Sequence, residues 1–180
     1  MNLSQARIEE TAAEEGIECF ETFEENALAK ARHFSSLLPG RIVVADDSGL
    51  AVDALGGAPG VRSKRWSGRS ELDGSALDAA NNALLLARMS GAASRTARFV
   101  CAAAWCDGST ELVARGEVSG RIVDAAAGGN GFGYDPHFFV DDLHRTMGEA
   151  SVPEKEAISH RGRAFVRLLD AVRARSHLSA

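Results

Sequence analysis

Between Arg41 and Leu50 the chain passes from a short apolar, β-branched run, Ile42-Val43-Val44-Ala45, straight into Asp46-Asp47-Ser48-Gly49. Such a run is the pattern of a buried strand. Its polar continuation puts carboxylates where that strand is expected to end. A carboxylate there is held on rigid backbone and faces the crevice in which α/β proteins bind ligands. Upstream, a helix is expected over about 22–37: Thr22 caps its start, Glu24 and Glu25 complement the dipole, and Pro39-Gly40 stops it. Downstream, Leu50-Ala51-Val52 opens another strand, and Gly56-Gly57-Ala58-Pro59-Gly60 is a loop. A helix over 75–89, a strand over 96–105, one or two strands over 112–123 with a break at Gly120, a glycine-rich loop over 128–133 and a last helix over 163–173 complete the reading. Helices and strands are mixed throughout, which selects an α/β class, a mixed sheet flanked by helices, over an all-α fold.

A chain of 180 residues, 45% hydrophobic, supports one domain over 1–180 with its own core. A net charge of -5 argues against a nucleic-acid surface, though not against a local cationic pocket for phosphate. Cys19, Cys101 and Cys106 lack zinc-ligand spacing, and Cys101 lies in the apolar run Phe99-Val100-Cys101-Ala102-Ala103. They read as reduced structural cysteines of a cytosolic protein. No stretch approaches the ~20 apolar residues of a membrane span. The polar first residues lack a signal peptide's apolar region. A soluble, cytoplasmic protein without a membrane partner is expected.

Three constellations carry chemistry. In Asp46-Asp47-Ser48-Gly49, successive strand side chains point opposite ways, so the two carboxylates need not share one job. One is free to hold metal or orient its neighbour while the other activates water; magnesium typically takes one or two carboxylates. A solvated turn has the same composition. In Gly128-Gly129-Asn130-Gly131-Phe132-Gly133-Tyr134-Asp135-Pro136, glycines let a ligand approach backbone and two aromatics can face a planar base. The same loop also reads as a flexible turn whose aromatics fold back onto the core, the commoner fate of residues like Phe132. Lys155 and Ser159-His160-Arg161-Gly162 set cations beside a helix N-terminus, where the dipole disfavours them, so an anionic or acceptor-rich ligand would explain them. A solvated basic patch is the alternative.

Taken in this order, the segments resemble the inosine triphosphate pyrophosphatase family of non-canonical purine triphosphatases. The matching stretches are Thr22-Phe23-Glu24-Glu25-Asn26-Ala27 with Lys30, Ala45 to Leu50, Gly57-Ala58-Pro59-Gly60-Val61, Gly131 to Pro136, and Lys155 with Ser159 to Gly162. The resemblance implies hydrolysis of inosine, deoxyinosine and xanthosine triphosphates to the monophosphate and pyrophosphate, with Mg2+, in a homodimer. It implies Asp47 as catalytic carboxylate and magnesium ligand, Asp46 as support for the metal shell, and Glu18 as a further ligand. That last match is looser, because Cys19-Phe20 follows where the family usually has Thr-Gly. Lys30 and Ser48 are implied triphosphate contacts. Phe132, Gly133, Tyr134 and Asp135 match the base-binding loop, and Lys155, His160 and Arg161 the polar contacts that select the base. The donor-only side chains of Arg161 and Lys155 suit the ring carbonyl of hypoxanthine or xanthine and mismatch adenine's amino group. Asp46, Asp47, Phe132, Lys155, His160 and Arg161 are expected to line one cleft.

The family also opens with an apolar strand, a Thr-Gly-Asn-x-x-Lys phosphate loop and a first helix. Residues 1–16 hold no such loop. The expectation is a chain lacking those elements, through a late start site or through real shortening. A truncated or non-catalytic purine-nucleotide binder that keeps the base pocket is then the alternative to an active enzyme.

Overall fold

The computed structural model describes residues 16–178. The expectation about a missing strand, loop and helix falls on the segment before Glu18, of which residues 1–15 lie outside the described residues.

Helix α1 (Phe23–Leu37) starts as its sequence dictates, with the Thr22 hydroxyl accepting from the Glu25 amide at 3.2 Å. Phe23, Ala27 and Ala31, spaced one turn apart, form its buried stripe. Strand β1 (Val43–Val52) pairs antiparallel with β2 (Thr96–Cys106) from Val43↔Cys106 to Val52↔Ala97. Strand β3 (Glu111–Ile122) pairs with β2, and the short β4 (Phe138–Val140) and β5 (Arg145–Thr146) continue the sheet in the order β1-β2-β3-β4-β5, antiparallel at every step. Helices α2 (Gly74–Arg88), α3 (Val152–Ile158) and α4 (His160–Leu178) complete the layers.

Three expectations change. The strand does not end at Ala45 and restart at Leu50: β1 runs through, with Asp46 opposite Ala103 and Asp47 opposite Ala102. Continuous pairing with β2 holds the backbone extended, so polar side chains do not end the strand. Strand β3 is likewise unbroken at Gly120, where glycine serves close packing: a Cβ there would run into the Phe139 carbonyl and the Phe138 ring. Helix α4 begins at His160, earlier than expected, and α3 precedes it.

Strand alternation divides the core. On one face of the sheet Phe23, Ala27 and Ala31 of α1 meet Ala51, Val100, Ala102 and Ala104. On the other, Leu50, Val52, Phe99 and Val118 meet Leu85 and Met89, which close the last turn of α2, and Phe138. Nearby, Ala164 and Leu168 of α4 cover Cys101 and Ala103. Gly116 lets α4 lie flush, since a Cβ there would strike the His160 carbonyl and the Ala164 amide. Asp46, Ser48, Leu50 and Val52 share the α2 and α4 side of β1, and Asp47 faces α1.

Candidate active site

Asp47 is buried on the α1 face, 8% exposed. One oxygen accepts from Asn26 Nδ2 at 3.0 Å, and the other lies 3.6 Å from Lys30 Nζ. Asn26 and Lys30 are one turn apart on α1, so a single helix face delivers both. Lys30 also donates to Glu18 Oε1 at 2.8 Å, and Arg65 approaches Glu18 at 3.6 Å. Asn26 also accepts from the Phe20 amide at 3.0 Å, which pins the segment carrying Glu18. Burial pushes the Asp47 carboxyl up, more than Lys30 and Asn26 pull it down. Glu18 goes the other way: burial would raise it, but Lys30, Arg65 and Lys64 together hold it below the ordinary glutamate range. Two neighbouring carboxylates whose proton affinities are driven apart suit different duties, one staying charged and one basic enough to take a proton.

The same cluster fits a divalent cation. The Lys30 ammonium already sits between Glu18 and Asp47, so the geometry accommodates positive charge there. Among the described residues no group of three or more His, Cys, Asp or Glu gathers.

On the opposite face Asp46 accepts from Arg161 Nε at 3.0 Å, and Arg161 reaches Ser48 Oγ at 3.3 Å. The Cys101 Sγ lies 3.6 Å from Asp46. Burial and the Asp46 charge push its thiol up to about 12, which favours the protonated form. The His160 ring stacks on Phe99 at 5.3 Å with an 18° interplanar angle, and its Nδ1 is buried without a partner. Burial, then the Arg161 charge, lowers its pKa to about 4, leaving a neutral imidazole.

The glycine-rich loop splits its aromatics. Tyr134, 5% exposed, packs in the core and donates its hydroxyl to the Ser63 carbonyl at 2.8 Å. Phe132 is 80% exposed. Lys155 bonds Asp135 at 2.8 Å and the Asn130 carbonyl at 3.0 Å, bracing the loop from α3. Gly131 adopts φ +89°, and a Cβ there would collide with Asp135 and Lys155. Gly133 is held on both sides by α2: its amide donates to Asp78 at 2.8 Å and its carbonyl accepts from Asn82 at 2.8 Å.

The nominated residues thus form three groups: Glu18, Lys30 and Asp47; Asp46, Ser48, His160 and Arg161; and Phe132 to Asp135 with Lys155. Asp47 and Arg161 come within one residue along β1 but face opposite sides of it. Asn26, Asp78 and Asn82 had no role in the sequence reading. Their signal was present as i, i+4 pairs, Asn26 with Lys30 and Asp78 with Asn82, on helices adjoining the motif segments.

The Ham1 family model matches residues 2–171. A dITP/XTP pyrophosphatase of Exiguobacterium sp. is 50% identical over 148 residues, covering 82% of this chain and 72% of that protein. One from Mycobacterium bovis is 52% identical over 155 residues, covering 85% and 73%. Among solved structures, the Ham1 protein of Staphylococcus aureus superposes with a TM-score of 0.80 at 40% identity, covering 88% of this chain and 80% of that one. A dITP/XTP pyrophosphatase of Mycobacterium abscessus gives 0.71 at 47% identity, covering 90% and 80%. With a family match over most of its length and relatives near half identical, this chain belongs to the Ham1 family.

Proposed function

We propose that this chain is a nucleoside triphosphate pyrophosphatase that hydrolyses inosine, deoxyinosine and xanthosine triphosphates to the monophosphate and pyrophosphate. The names its relatives carry support the activity, and the buried Asp47, bonded by Asn26 and flanked by Lys30 and Glu18, supports the chemistry. A non-catalytic binder is not favoured, because the proteins matched over more than four fifths of this chain are named as pyrophosphatases.

In this reading Asp47 takes the proton of a water that attacks the α-phosphorus, while the α–β bridging oxygen leaves with pyrophosphate. Lys30 and Ser48 face the triphosphate from the two sides of β1. Glu18 and Asp47 would hold Mg2+, which when bound supplies charge to the leaving phosphates. The pairing of Asp46 with Arg161 favours an orienting role for Asp46 over direct ligation beside Asp47.

The exposed Phe132 ring offers a stacking surface for the base. Arg161 and Lys155 present donors to its six-carbonyl, and the neutral His160 adds a group without charge. Adenine's amino group would meet donors with a donor, leaving both unsatisfied. Such a protein would work as one cytoplasmic domain and pair as a homodimer, against which sedimentation showing only monomer at micromolar concentration would count.

The test is pyrophosphate release from inosine and adenosine triphosphates with magnesium. Arg161→Ala should narrow the preference between them by about tenfold, in line with the loss of a charged hydrogen bond. An unchanged ratio of the two kcat/KM values would remove the selectivity reading.

A further inference from the structure

The loop that carries Phe132 contains Gly128, Gly129, Gly131 and Gly133, with φ +77°, +89° and +62° at Gly128, Gly131 and Gly133. Glycine accepts such angles readily but does not select them, so the loop's shape must come from outside itself. The Gly133 peptide is gripped twice from one rigid source. Asp78 accepts from its amide and Asn82 donates to its carbonyl, each at 2.8 Å, from adjacent turns of α2. The Asn82 Oδ1 is buried without a hydrogen-bond partner, and its Nδ2 is the end that donates to the Gly133 carbonyl.

Helix α2 is itself fixed. Leu85 is wholly buried, and Asn81 accepts from the Ser67 amide at 2.8 Å while donating to the Lys64 carbonyl at 3.0 Å. That 3-10 segment, Gly60–Arg65, also receives the Tyr134 hydroxyl at the Ser63 carbonyl. Its Ser63 hydroxyl accepts from the Leu50 amide of β1 at 2.8 Å. Residues 133 and 134 are therefore tied to α2 and to the carboxylate strand, and Phe132 projects from the end of that brace.

We infer that Asp78 and Asn82 are positioning residues of the reaction, clamping the Gly133 peptide so that Phe132 is presented to the base at a fixed distance from β1. The inference rests on the reading of residues 131–135 as the base-binding loop. Neither side chain touches substrate in this account; both act through the loop, so they govern how well the nucleotide is held more than how fast it reacts.

The experiment compares Asp78→Ala, Asp78→Asn, Asn82→Ala and Phe132→Ala, with the Asp78→Ala/Phe132→Ala double variant, by steady-state kinetics on inosine triphosphate and by thermal unfolding. Each alanine variant at 78 and 82 should raise KM about tenfold with kcat within about twofold. Asp78→Asn keeps a carbonyl oxygen for the Gly133 amide and should return KM to within about threefold of the parent. The double variant should be less impaired than the product of its two single effects, because both act on one contact. A raised KM for Phe132→Ala with none for Asp78→Ala or Asn82→Ala would overturn the clamp and leave the base loop standing. Unchanged KM in all of them would remove the loop's own role and the clamp with it. A KM loss matched by a fall in Tm and not rescued by Asp78→Asn would reduce the pair to ordinary scaffold, and would equally overturn the inference.

Discussion

Asp46 and Asp47 are consecutive, each sits against a cation, and the two faces of β1 nevertheless treat them differently. Under α1 the Asp47 and Lys30 side chains are 9% and 19% exposed, whereas Asp46 and Arg161 on the α4 side are 24% and 54% exposed. A screened pair of the second kind contributes little beyond orientation. In the first, unpairing a group leaves an uncompensated buried charge. The lesson is that burial, more than the partner's sign, separates the carboxylate suited to chemistry from the one suited to alignment. On the α1 face desolvation lifts Asp47's proton affinity despite Lys30, which is the property a general base needs.

The strongest way to break that distinction is Asp47→Asn, which keeps shape and removes charge. Pyrophosphate release should fall by about a thousandfold with the fold intact. Near-normal turnover would leave the α1 face without its assigned role. The next lever acts on the other face through pH. His160 has a folded pKa lowered to about 4 from 6.5, so the unfolded chain takes up the proton first as pH falls. Its contribution is complete above about pH 6.5 and is lost between about 6.5 and 4, to the extent of about 3 kcal/mol. Denaturation curves across that range should be steeper in pH for the parent than for His160→Gln; identical slopes would show that the ring is not buried neutral.

Gly116→Ala sharpens the comparison by disturbing one face only. Its methyl must push against α4 backbone at His160 and Ala164, which should cost about 1–3 kcal/mol by chemical denaturation. Unchanged stability would mean that α4 does not lie flush on β3. The smallest effect belongs to Asp46→Asn, which should reduce kcat/KM by about tenfold or less through a loosened Arg161. A loss equal to that of Asp47→Asn would erase the division between the faces.

Much of this was legible in the chain. Thr22 and Pro39-Gly40 bound α1 because caps and breakers act locally, and the apolar run 96–105 announced β2. The continuity of β1 was hidden, since Asp-Asp-Ser-Gly has turn composition and only pairing with β2 holds it extended. Helix α3 carried a readable signature, the Ser151/Glu154 capping box, but at seven residues it offers little periodicity. Of the loop aromatics, the fold-back expected of a Phe132-like residue is found at Tyr134, whose hydroxyl has a main-chain partner waiting at Ser63. Which ring finds such a partner depends on a segment 71 residues away, a tertiary fact no local pattern contains. The carboxylate cluster under α1 was half visible: Glu18 and Asp47 could be nominated, while Asn26 could be matched but not given its bond.

The unbroken register of β1 on β2 has a consequence for how this gene can change. Because side chains alternate, one codon gained or lost just before Asp46, with the flanking pairs kept, would exchange the surroundings of the two acids. Asp47 would turn toward Cys101 and Arg161, and Asp46 would enter the alanine-lined side beneath α1. Composition, net charge and hydropathy would hardly register the event. Point substitutions along this strand can be tolerated by degree, whereas a length change there is all or none.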